Sequence, residues 1–393
     1  MTGEKISAVQ ESTRDRFYPA LDGLRAVATF AVLISHFFPE RSAIQKAFHW
    51  GRFGVLLFFV LSGFLITRLL LRGRAAIDSG ESTAGGVFRT FVARRALRIA
   101  PIYYMVVLLG WAAGYGPIAD SIGWHLTYTG NIALTYFHRP MAQATHLWSL
   151  CVEEQFYLLW PLAVLFISLR RLALLALAMV VVSTTLEALG TIHGQSFEQT
   201  HLVLQGCMDS LGLGALLAMA RNLDGDIPRL APRLVKYAVF VGAPLFFFAQ
   251  GFRYQVGLRA TDLLPYRVPG DLGFGMIALV LVHLATSSES SFPRRALEWA
   301  PLRFIGRISY GIYLYHLFLI AIGRQIARSY NVAPLDRGLS MFLIYSAVSI
   351  VLATLSWYLI EAPINRQKRH FPYPPSAGRA EPALLTAGET STV

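Results

Sequence analysis

The chain has 393 residues, of which 54% are hydrophobic and 15% charged, and its mean hydropathy is +0.48. A soluble protein of this size carries about 25% charged residues, so composition argues for many membrane helices rather than two soluble domains. The formal net charge is +12. Its basic residues fall in short loops between apolar runs, not on one long polar surface, so nucleic acid is set aside as a partner and the charge reads as cytoplasmic loop charge.

Ten membrane segments are expected, at about 22–38, 53–71, 101–118, 152–169, 172–189, 205–220, 236–250, 268–286, 307–327 and 338–360. The fold class is therefore all-α, a polytopic membrane protein with about ten transmembrane helices around a central polar cavity. Residues 1–16 read as a polar N-terminal tail and 17–363 as the membrane domain. Residues 364–393 begin with "RQKRHFPYPP" (366–375) and read as a basic, then disordered, tail. No small-x-small cleavage site follows the first apolar run, so that run is expected to be a retained helix rather than a signal peptide. The stretch "GWHLTYTGNIALTYF" (123–137) is too polar and short to span, and is expected to re-enter the membrane or lie on its surface.

With the N-terminus inside, 25 of the 35 Lys and Arg fall on the cytoplasmic side and 10 on the other. The bias predicts both termini in the cytoplasm. Cys151 and Cys207 lie in apolar surroundings outside any CxxC pair and read as small buried hydrophobes.

The first segment, "LDGLRAVATFAVLISHFF" (21–38), carries the first candidate chemistry. Asp22 reads as an N-cap, with Arg25 in the first turn. Eleven residues later His36 returns to within about 20° of Arg25 and about 16 Å along the axis. A shared polar face on a membrane helix looks into a cavity or at partner helices. Snorkelling of Arg25 and His36 to opposite interfaces is the alternative. In the second segment Ser62-Gly63-Phe64 lets a helix or a ligand approach closely, and plain helix packing fits the same residues.

"FVARRALRIAPIYY" (91–104) places Arg94, Arg95 and Arg98 before Pro101, at the start of the third segment. Ordinary loop charge explains them, but three clustered arginines also suit the phosphates of an anionic cofactor. "HLWSLCVEEQFYLLWP" (146–161) puts His146, Trp148, Glu153 and Glu154 at the start of the fourth segment, on the opposite side of the membrane. Adjacent helical residues diverge by about 100°, so one carboxylate is expected to face His36, with Glu154 slightly favoured. Tyr310, Tyr313 and His316 near the end read first as satisfied core polar groups, and Glu361 as half of a structural ion pair. The aromatics of the loop at about 119–151 suit sugar stacking or an interfacial belt.

Taken in order, "LDGLRAVA…H", "GVLLFFVLSGF", "RRALRIAP", "WSLCVEEQFYLLWP", "SYGIYLYH" and "WYLIEAP" resemble the acyltransferase 3 family of integral membrane acyltransferases, over residues 21–363. The resemblance implies a ten-helix domain that moves an acyl group, usually acetyl, from cytoplasmic acyl-CoA to a hydroxyl of lipopolysaccharide, peptidoglycan, another polysaccharide, a glycolipid or a macrolide. It implies a bacterial inner-membrane location. Its basic-x10-His pattern falls on Arg25 and His36, and its RRxxRxxP pattern on Arg94, Arg95, Arg98 and Pro101. The expected form is a single module without the SGNH hydrolase-like domain of some members.

On this reading His36, Glu153 and Glu154 are the candidate catalytic residues. Arg25, Arg94, Arg95 and Arg98 are candidates for binding acetyl-CoA, and Trp148, Ser62 and Tyr313 for contacting substrate. No metal is expected. The expected partners are a carbohydrate or glycolipid acceptor and membrane lipids. His36 would take the acceptor's proton or carry the acyl group itself. Acylation of a small molecule is the alternative within enzymes. A transporter of a polar solute or lipid is the alternative outside them, but no related halves are visible in the hydropathy.

Overall fold

Ten helices of fifteen residues or more follow the expected order in a computed structural model that describes residues 18–39, 42–139, 141–222, 230–257, 263–287, 291–335 and 338–373. They are α1 (Pro19–Phe37), α2 (Trp50–Asp78), α3 (Ala84–Ala112), α4 (Trp148–Phe166), α5 (Leu169–Ile192), α6 (Met208–Asn222), α7 (Leu230–Val256), α8 (Leu264–Thr286), α9 (Ser309–Ser329) and α10 (Leu339–Ser356). There is no strand among the described residues. The chain is an all-α, multi-pass membrane protein: among the described residues seven helices are long and apolar enough to cross a bilayer, or eight with the bent pair Ala300–Arg307 and Ser309–Ser329, which turns through 67°.

The two remaining long helices explain the shortfall from ten. α6 has 15 residues, about 22 Å, which is less than a bilayer's hydrocarbon thickness of about 30 Å. α3 carries Arg94, Arg95 and Arg98 in its interior. It also begins well before the expected residue 101. Thr83 caps it by accepting from the Gly86 N–H at 3.1 Å, and the helix runs straight through Pro101. Membrane helices tolerate an interior proline because their neighbours re-satisfy the freed backbone groups.

Burial separates the centre from the rim. Of the apolar window of α2, 67% is buried, and of that of α1, 61%; the values fall to 33% for α5 and α10 and 17% for α7. The rim helices expose Leu174, Val181, Phe240, Phe247 and Leu355, as a lipid-facing surface requires. In the centre, small residues let backbones touch. A Cβ at Gly63 on α2 would lie 2.1 Å from Leu211 O on α6, and a Cβ at Gly214 on α6 would lie 2.1 Å from Val60 O on α2.

Other expectations change in detail. Asp22 is not the N-cap: α1 begins at Pro19 after Tyr18, and Asp22 pairs with Arg25 at 2.8 Å within the first turn. Between α3 and α4 the chain folds into short helices, Gly116–Ala119, Ile122–Leu126 and Gly130–Tyr136, followed by a 3₁₀ turn, Ala142–Leu147. Three of the ten cations assigned to the outer side, Arg52, Arg253 and Arg267, are buried in the bundle, so they are not loop charges. The expected tails, residues 1–16 and 364–393, lie outside the described residues apart from 364–373. That last segment forms a turn, Gln367–His370, against α3, because Arg94 donates to Lys368 O at 3.0 Å and Phe371 O at 2.9 Å.

Candidate active site

The helices converge on a cavity of about 90 Å³ with charged and hydroxyl side chains in its walls, room for several water molecules. Arg25 from α1 and Arg95 and Arg98 from α3 line it, with Ser62 from α2, Glu153 and Tyr157 from α4, and Tyr310 and Tyr313 from α9; Ser149 is also in its wall. Six residues picked from the sequence thus share one cavity: Arg25, Ser62, Arg95, Arg98, Glu153 and Tyr313. Trp148, Arg94, Glu154 and His36 lie outside its lining. Trp148 meets Phe59 edge-on at 6.0 Å. The Arg94 guanidinium holds the C-terminal turn and sits over the Tyr373 ring at 5.0 Å.

Inside the cavity the Ser62 hydroxyl donates to Glu153 Oε1 at 2.7 Å and lies 3.1 Å from the Tyr157 hydroxyl. Arg95 extends over the Tyr157 ring at 5.7 Å. The carboxylate is therefore held by a hydroxyl and shares its cavity with three guanidiniums, an arrangement that offsets much of the penalty of placing charge in a bilayer. Glu154 points elsewhere, and its Oε1 is buried with no hydrogen-bond partner among the described residues. Neighbours on one helix diverge as expected, but Glu153, not the favoured Glu154, faces the cavity.

A histidine cluster lies behind Tyr313 and Ser149. The hydroxyls of those two residues are 2.6 Å apart, and Tyr313 also donates to His146 O at 3.1 Å. The His36 and His316 rings lie 4.9 Å apart, His146 and His316 5.0 Å, and Tyr313 and His316 5.4 Å. His36 Nδ1 lies 3.2 Å from His316 Nε2 and 3.0 Å from Val32 O. A histidine, rather than the expected carboxylate, therefore stands against His36. Sequence reasoning placed His316 in the core and gave His146 no role. The spacing that drew attention to Tyr313 and His316 was the available signal, whereas nothing in the sequence marked Ser149.

Away from the cavity, Arg52 donates Nε to Asp271 Oδ1 at 2.8 Å and a second nitrogen to the other carboxylate oxygen. His201 Nε2 lies 2.6 Å from Asp271 and 3.0 Å from Glu187. Glu187, His201 and Asp271 bring three metal-ligand atoms within 4.8 Å of one another, but Arg52 and Arg267 supply cationic charge there already. The expected ion pair of Glu361 is replaced in part by a hydrogen bond, which it accepts from Ser356 at 3.1 Å.

A family model described as an acyltransferase domain matches residues 18–361. The chain belongs to the acyltransferase 3 family. It is 28% identical over 377 residues to the putative peptidoglycan O-acetyltransferase YrhL of Bacillus subtilis, covering 90% of this chain and 55% of that protein. It is 27% identical over 379 residues to the peptidoglycan O-acetyltransferase OatA of Listeria monocytogenes, covering 89% and 56%. Against the putative O-acetyltransferase SACOL0978 of Staphylococcus aureus it is 26% identical over 385 residues, covering 90% and 58%. The chain spans little more than half the length of these curated relatives. No solved structure matches it. Family membership makes the cavity with its three arginines the candidate functional site.

Proposed function

We propose that the protein transfers an acetyl group from acetyl-CoA to a hydroxyl of a cell-envelope carbohydrate of the peptidoglycan type, in the bacterial inner membrane and with both termini in the cytoplasm. The observation that carries this reading is the single cavity that has Arg25, Arg95 and Arg98 among its walls and Ser149 and Tyr313 backed by three histidines. The relatives named as peptidoglycan O-acetyltransferases support the acceptor class.

Guanidiniums recognise phosphates through paired, charge-assisted hydrogen bonds. Arg95 and Arg98, with Arg25 beside them, hold the phosphates of coenzyme A, and the thioester reaches toward Tyr313. Arg94, whose guanidinium is occupied by the C-terminal turn, braces the helix that carries the other two. His36 acts as general base. It takes the proton from the acceptor hydroxyl as that oxygen attacks the thioester carbonyl, then returns it to the departing thiolate, so coenzyme A leaves as the free thiol. Glu153 holds Ser62 and balances the arginines. Trp148 supports the wall through Phe59 rather than contacting substrate.

The test is transfer of radiolabelled acetyl from acetyl-CoA by purified protein in lipid nanodiscs, with peptidoglycan fragments as acceptor. The reading requires label on the carbohydrate and stoichiometric free thiol. Solute flux without acetyl transfer would replace it with a transporter.

A further inference from the structure

The histidine cluster has an internal logic that the transfer reaction leaves unused. His316 Nδ1 lies 2.6 Å from Tyr313 O. A carbonyl oxygen only accepts, so that nitrogen carries the hydrogen. A neutral imidazole has one N–H and one lone pair, so His316 Nε2 is the acceptor. That atom lies 3.2 Å from His36 Nδ1, which also lies 3.0 Å from Val32 O. Two acceptors converge on one nitrogen, so His36 Nδ1 carries the hydrogen and Nε2 carries the lone pair. The partner of one ring nitrogen sets which tautomer is present and which nitrogen is basic.

We infer that His316 is a positioning residue: its Tyr313-fixed ring accepts the Nδ1–H of His36 alongside Val32 O and so holds the His36 ring, with Nε2 as the basic nitrogen, against the cavity wall. The inference rests on His36 being the base. It gives the histidine in "SYGIYLYH" a function distinct from core packing, and ties it to the cavity, because Tyr313 lines the cavity and also fixes His316. Val32 belongs to the same helix as His36 and moves with it. His316, on α9, is the part of the arrangement that fixes the ring relative to the cavity wall. An imidazolium formed at His36 keeps the same Nδ1–H···Nε2 bond, which is stronger when the donor is charged. His146 flanks His316 with its ring nitrogens 3.0 Å from Gln143 O and 3.1 Å from Leu314 O, so its single N–H donates to one backbone carbonyl.

The test uses the full chain in nanodiscs with ¹⁵N-histidine, the His36 resonances being assigned by their loss in His36→Ala. In the wild type, His36 Nε2 is expected to be the pyridine-type nitrogen. In His316→Ala the Nδ1–H tautomer, still held by Val32 O, is expected to persist while kcat falls about 10- to 100-fold, within the range that a general base contributes, with an unchanged KM for acetyl-CoA. His316→Gln, whose amide oxygen can accept the same hydrogen, is expected to recover most of kcat. A purely packing role would not make recovery depend on an acceptor atom. A pyridine-type Nδ1 on wild-type His36 would overturn the inference, and so would His316→Ala with wild-type kcat. Full turnover by His36→Ala would instead remove the base assignment, a failure read from a different variant.

Discussion

Replacing Gly63 by alanine tests whether the central helix crossing sets the geometry of the cavity. The added Cβ would meet Leu211 O at 2.1 Å, and ordinary contact begins at 3.4 Å, so α2 and α6 must separate by the difference, 1.3 Å, or twist past each other. Both partners are backbone, so no side chain can swing aside. Overpacking of this kind costs about 1–3 kcal/mol. The next residue, Ser62, holds Glu153 at 2.7 Å, and a shift of this size takes the pair out of hydrogen-bond range. A misplacement of about 1 Å at a reacting centre lowers the rate about 100-fold. Gly251→Ala is the control, because its Cβ meets nothing within 4 Å; in a helix interior it should stabilise by about 0.5–1 kcal/mol. Melting by intrinsic fluorescence and kcat from labelled-acetyl transfer are the readouts. Gly63→Ala should lower both and Gly251→Ala neither. Wild-type melting and turnover in Gly63→Ala would refute the tight crossing and its link to the site.

Two further outcomes follow from which side chains face the cavity. Glu153→Gln should lower kcat about 10- to 100-fold, since a hydrogen bond to a charged group contributes about 1.5–3 kcal/mol, whereas Glu154→Gln should act on yield and melting; kcat at matched protein amounts separates them. Arg95→Glu should raise the KM for acetyl-CoA at least about 10-fold through lost charge-assisted contacts and new repulsion. Arg94→Glu should leave that KM near wild type while increasing proteolysis of the C-terminal turn that Arg94 holds.

The sequence made the helical class legible because ten apolar runs of helical length have no other use in a lipid bilayer. It also brought Arg25, Arg95 and Arg98 to one place, since helical spacing and loop charge carry over directly into space. The start of α3 was illegible for the reason that makes it useful. Its arginines read as a loop, yet they are accommodated in a helix because Arg95 and Arg98 face the cavity and Arg94 faces backbone carbonyls. Arg52 and Asp271 lie 219 residues apart, and no local pattern announces such a pair. His316 was visible as a polar residue on a shared face with Tyr313, but its partner, His36, is 280 residues away. Periodicity assigns a residue to a face, and only tertiary packing says what that face meets.

The central claim is that His36 performs the proton transfer in an acyl transfer fed from the arginine-lined cavity. Its most direct measurement is single-turnover transfer of labelled acetyl by His36→Ala, alongside wild type, in the same nanodiscs and with acetyl-CoA binding measured on the same samples. The account predicts that His36→Ala binds acetyl-CoA with near wild-type affinity and transfers acetyl at least about 100-fold more slowly, the lower end of what general-base catalysis contributes. Transfer at the wild-type rate by a variant that binds the donor normally would contradict it.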